Sequence, residues 1–141
     1  QLIDGLATAT GSKAASFASE IAARSTHSAG SADRVVLGKW PGYINEAKAN
    51  GGKWYETSEN FFSDLKAKVG QDAAAEKAWM VNEAFLEQQL KSGVGKIQFT
   101  QEGLKHAMEN PNSFSAKELN FLKQHAAQYG YELQGLAFVK K

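Results

Sequence analysis

Apolar residues recur along this chain in two rhythms, and the alternation between them predicts its architecture. "RVVLG" (Arg34 to Gly38) is a β-branched apolar run closed by glycine, the pattern of a buried strand. Pro41 and Gly42 break it, and "YINEAKAN" then reads as a short helix ended by Gly51 and Gly52. "KWYET" is a second strand. Phe61, Phe62 and Leu65 form the stripe of a helix that Gly70 stops. The strongest helix follows, with Asp72 as its cap and Trp79, Phe85, Leu86 and Leu90 recurring at near-helical spacing up to Gly93. "KIQF" (Lys96 to Phe99) is a third strand, and Thr100 caps a short helix that Pro111 closes. Ser115 and Glu118 have capping-box spacing, with Phe114 and Leu119 as a hydrophobic staple, so a helix is expected from Ala116 to Tyr129, ended by Gly130. "YELQGLAFVK" alternates as a strand or as a hairpin turning near Gly135.

Residues 1–30 differ in kind. Ala, Ser, Thr and Gly dominate, and only Ala14, Phe17, Ala18 and Ile21 share a face, giving one weakly amphipathic helix from about Ser12 to Arg24. The opening dozen residues are expected to be disordered and Ser25 to Ala32 to be a flexible connector. The predicted order is α, β, α, β, α, α, β, α, α, β. Strands alternating with helices favour an α/β (or α+β) fold, a small sheet of about four strands covered by helices with an N-terminal helix. The expected division is a helix and linker over 1–30 and a compact domain over 31–141.

Composition narrows the chemistry. With 141 residues, 43% hydrophobic and 22% charged, the chain has the makings of one globular core. A formal charge of +1 leaves any nucleic-acid site to local clustering of Lys and Arg. There is no cysteine, which removes disulfides, thiolate nucleophiles and cysteine-held metals. No apolar run approaches the ~20 residues of a membrane span. Starting at Gln1 without a signal-peptide pattern, the chain is expected to be a piece of a longer protein.

Three histidines are candidate acids or bases. His106 and His125 read as ordinary helix-surface residues. His27 lies in a Ser/Gly-rich stretch just before the first predicted strand, with Arg24, Asp33 and Arg34 nearby, where reactive groups are often mounted, although an exposed linker histidine has the same pattern. In "LGKWPGY", Lys39, Trp40 and Tyr43 follow a strand end across a Pro-Gly turn. A cation and two aromatics on one loop can hold a phosphate and stack a base; equally, the aromatics can staple the loop to the core. No GxxxxGK[ST] or GxGxxG motif is present, which counts against nucleotide folds. Asp33, Glu46 and Glu56 make an acidic trio that a metal nuclease could use, but no strand-borne Glu-x-Lys pair accompanies them, so neither a metal nor a cofactor is expected. Asn82 falls on the apolar face of the strongest helix and needs partners if buried.

"DRVVLGKW…GYINEAKANGGKWYET…AWMVNEAFLEQQLKSGVGKIQF" and "SFSAKELNFLKQHAAQYGYEL" resemble the extreme C-terminal regions of filamentous-haemagglutinin-like polymorphic exoproteins, the CdiA-type effectors of contact-dependent growth inhibition. The likeness covers roughly Arg24 to Lys141. It implies a secreted, cell-surface exoprotein whose C-terminal toxin is delivered to the cytoplasm of a neighbouring bacterium and blocked by a cognate immunity protein. Among such toxins nucleases are common, transfer-RNA nucleases frequent, and a host-cell activator protein is sometimes needed. Residues before Asp33 fit the remnant of a junction with the segment that carries the toxin into the target cell, although the asparagine-rich junction motif is absent. The resemblance brings no catalytic residues with it.

From the residues, the leading expectation is a metal-independent ribonuclease. His27 or Glu46 takes the ribose 2′-hydroxyl proton, Arg34 and Lys39 are the cations, and Trp40, Tyr43 and Asn82 bind substrate. The alternatives are a metal-dependent nuclease, an NAD-consuming toxin of the same class, and a harmless binding or delivery module.

Overall fold

In the computed structural model, which describes residues 2–141, the elements run α1 (Leu2–Thr8), α2 (Gly11–Arg24), β1 (Thr26–Ser28), β2 (Arg34–Leu37), α3 (Gly42–Ala49), β3 (Lys53–Tyr55), α4 (Phe61–Val69), α5 (Gln71–Ser92), β4 (Lys96–Phe99), α6 (Gln101–Glu109), α7 (Phe114–His125), a 3-10 turn (Ala126–Tyr129), β5 (Tyr131–Gln134) and β6 (Ala137–Lys140). The fold is α/β. Its mixed sheet has six strands rather than about four, in the order β1-β3-β2-β4-β6-β5.

Contacts divide the residues into two compact units: the chain up to Thr26 with Tyr55–Phe85, and His27–Trp54 with Leu86–Lys141. This division does not follow the expected 30/31 boundary. In the first unit α1 and α2 pack on each other, and α1 also meets α4. Leu6, Ala18, Ala22, Leu65, Ala74, Val81 and Phe85 are buried. Gly5 admits the Phe17 ring, which any side chain there would strike. Lys68 Nζ reaches Asp4 Oδ1 at 2.6 Å, and Lys77 Nζ donates to the Ala9 carbonyl at 2.6 Å. Of the opening dozen residues expected to be disordered, Leu2–Thr8 form α1, held by the full burial of Leu6, and Gln1 lies outside the described residues.

The second unit is built on parallel pairing. β2 pairs with β3 on one side, with α3 as the crossover, and with β4 on the other. β6 then runs antiparallel to β4, and β5 antiparallel to β6. Along β2 and β4 the register matches Arg34 with Lys96, Val35 with Ile97, Val36 with Gln98 and Leu37 with Phe99. Successive strand residues face opposite ways. One face thus carries Val35, Leu37, Ile97 and Phe99, all buried. The other carries Val36, which clusters with Ile44 and Ala47 of α3 and Trp54 of β3, with Tyr43 packed against them.

The stretch expected to be a flexible connector forms β1 instead. In the loop that follows it, Ala29 N–H donates to Gly52 O at 3.0 Å and Ala32 N–H to Gly51 O at 3.1 Å. Thr100 caps α6 as its sequence indicates, accepting from Gly103 N–H at 2.9 Å. The cap of α7 is Ser113, which accepts from Ala116 N–H at 3.1 Å, so the helix starts two residues before the expected Ala116. Ser115 lies inside that helix, and its hydroxyl donates to the Gly38 carbonyl at 3.4 Å.

The tightest joint in this unit is Gly103 of α6 against Gly38. A Cβ at Gly103 would collide with the Gly38 Cα, a backbone atom that cannot swing aside. Gly103→Ala should cost about 1–3 kcal/mol through this overlap. Urea unfolding checks it: the midpoint should fall with the slope unchanged.

Candidate functional site

Strand register gathers several candidate residues on the sheet face that α3 partly covers. At its base, Arg34 and Lys96 are register partners on adjacent parallel strands, about 4.8 Å apart at the backbone. Both are half-buried. The stem of Arg34 lies over Gly52, where a Cβ would come within 3.1 Å of its Cγ. Among the described residues, neither Arg34 nor Lys96 forms an ion pair with a carboxylate, unlike Arg24 with Glu20, Lys68 with Asp4 and Lys91 with Glu87. Like charges placed side by side on a sheet oppose folding. Two cations thus stand together at one end of this face, with the Asp33 carboxylate beside the neighbouring Gly95.

One register step along the same face, Gln98 Nε2 donates to Glu46 Oε2 at 3.0 Å. This bond ties the Glu46 carboxylate to β4. Glu46 is half-buried on α3. Beyond Val36 comes Trp54, with His27 stacked on it at 5.4 Å between ring centroids and 20° between planes. Lys48 Nζ lies 5.5 Å from the Trp54 centroid. His27 therefore sits on a strand rather than a loop, half-buried against an aromatic.

The remaining candidates lie elsewhere. Lys39 and Trp40 follow the carboxyl end of β2 and are exposed, Trp40 at 69%. Arg34 begins that strand, so five residues of chain, about 16 Å if extended, separate it from Lys39. The two expected cations therefore stand at opposite ends of β2. Tyr43 is half-buried and packs against the α3 cluster. Glu102 Oε1 lies near Gly42 and brings negative charge to that loop. Asn82 is buried on α5 and belongs to the first unit. Among the described residues, no three His, Asp or Glu side chains converge to hold a metal, so Asp33, Glu46 and Glu56 do not form the acidic trio.

The sequence reading missed Lys96, Gln98 and Glu118. The first two alternate with Ile97 and Phe99 in "KIQF", so their shared face was visible; that it is also the Arg34 face depends on the β2–β4 register. Glu118 was taken as a capping residue. It is instead buried within α7, one turn after Ser115, and burial pushes its carboxyl up to about 8.

The chain matches no protein-family model, no curated protein and no solved structure.

Glu118 gives the fold a definite pH dependence. The folded state keeps a proton up to about pH 8 that the unfolded chain releases near 4.5. Its contribution to stability is present below the lower value and is lost as pH rises through the upper one. Melting temperatures at pH 5 and pH 8 should show a clear drop for the native chain and a smaller one for Glu118→Gln. Equal drops would contradict a buried, protonated Glu118.

Proposed function

We propose that the chain is an antibacterial toxin domain of the contact-dependent growth inhibition type that cleaves RNA, transfer RNA first, without a metal. It would be delivered to a target bacterium's cytoplasm and neutralised by a cognate immunity protein. The observation that carries this reading is the Arg34–Lys96 pair, two cations side by side without a carboxylate partner, one register step from the anchored Glu46. A polyanion is the natural counter-charge for such a pair.

In this reading Arg34 and Lys96 hold the scissile phosphate and offset the charge that builds on it in the transition state. Glu46, oriented by Gln98, takes the proton of the ribose 2′-hydroxyl. The resulting oxygen attacks phosphorus, and the 5′ oxygen leaves with a proton supplied by His27. The products are a 2′,3′-cyclic phosphate and a free 5′-hydroxyl. Exposed Trp40, beside Lys39, offers a stacking surface for an unpaired base further along the strand. An immunity protein that covers this face would present carboxylates to it.

Induction of the domain inside bacteria, followed by gel analysis of total RNA, tests the proposal. The native chain should degrade transfer RNA, and Glu46→Gln should slow cleavage by about 10²–10⁴-fold. Purified protein should cut equally well in EDTA. Intact RNA, or nicotinamide release from NAD in its place, would overturn the reading, and loss of cutting in EDTA would point to a metal nuclease. Independently, Lys96→Gln should reduce the slope of log affinity for RNA against log salt by about 0.7–1, the signature of one lost phosphate contact.

A further inference from the structure

The first unit contains a cavity of about 600 Å³ that the proposed RNA chemistry does not use. Its wall is apolar: Leu2 and Ile3 from α1, Phe17 and Ile21 from α2, and Phe61 at the start of α4. Its polar lining is Arg24, Ser25 and Ser58. Cavities of several hundred Å³ with apolar walls and a few polar groups are the usual form of small-molecule sites.

The polar groups define the ligand. Among the described residues, Arg24 is the only charged one in the lining. Its side chain is 70% exposed, and its contact with Glu20 one turn away is long, at 3.6 Å, so it retains donors for another anion. Ser25 is buried; its hydroxyl donates to the Ile21 carbonyl at 2.7 Å, which leaves its lone pairs as acceptors only. Ser58 is exposed and supplies a hydroxyl. One guanidinium and two hydroxyls beside a wall of Leu, Ile and Phe side chains suit a molecule with one anionic head and a hydrocarbon body. A guanidinium fork matches a carboxylate best.

We infer that this cavity binds a single-chain aliphatic carboxylate of medium length, with its head at Arg24 and its chain against Phe17, Ile21 and Phe61. The site is independent of the proposed nuclease, and either stands if the other fails.

Titration of the full chain with octanoate and 1-octanol, followed by methyl resonances of Leu2, Ile3 and Ile21, tests it. Octanoate should bind saturably and about tenfold more tightly than the alcohol, a difference of one charge-assisted bond. Arg24→Gln, a surface change, should erase that difference while leaving the alcohol's affinity unchanged. Ser58→Trp, also at an exposed position, should block both ligands in a chain whose circular dichroism is native. Equal octanoate binding by Arg24→Gln and the native chain would overturn the inference. So would absence of saturable binding, octanoate shifts confined to other residues, or binding to anionic phospholipid vesicles alone.

Discussion

The parallel pairing of β2 with β4 is the constraint on which the second unit rests. It brings Val35, Leu37, Ile97 and Phe99 together as a buried apolar layer, and the same four-residue register forces Arg34 against Lys96 on the opposite face. A shift of one residue would turn the apolar set outward and bring the charged set into the core. The hydrophobic gain that fixes the register therefore also fixes the position of two cations that repel each other. The fold tolerates this because the burial of four large apolar side chains outweighs one like-charge contact by several kcal/mol.

That arrangement explains why a nearly neutral chain can still present a site for a polyanion. Most charged residues here lie scattered on exposed helix faces, where pairs such as Arg24–Glu20 and Lys91–Glu87 contribute little. Arg34 and Lys96 differ in being half-buried, held on strands and unmatched. Glu46 and Gln98 add an oriented carboxylate on the same face. Residues held against the fold's own electrostatic interest are where function is commonly found. Trp54 ties His27, Lys48 and the α3 cluster into the same surface.

Much of the fold was legible because local chemistry and tertiary environment agreed. "RVVL" and "KIQF" became β2 and β4 with the expected bounds, Thr100 capped α6, and Gly135 turned the final hairpin with φ +62°. What escaped depends on partners distant in sequence. The polar Thr26–Ser28 segment has no strand signature of its own and is a strand only because β3 lies beside it. The seven-residue α1 is too short to stand alone; it is held by the burial of Leu6 and the fit of Phe17 against Gly5. Ser113 and Ser115 both suit a helix start, and what separates them is that Ser115 bonds to Gly38. The candidate site was half legible for the same reason. Arg34, Glu46 and His27 were named from their neighbourhoods, but Lys96 and Gln98 join them only through register, and Lys39 stands past the other end of β2.

The most direct test is a nuclear magnetic resonance titration of the native chain with a short RNA whose 2′-hydroxyls are methylated, which can bind but cannot be cut. Binding at the α3-side face predicts saturable changes concentrated at Arg34, Glu46, Lys96 and Gln98, weakening as salt is raised. Absence of binding at low salt, or changes that leave these four residues unmoved, would contradict it.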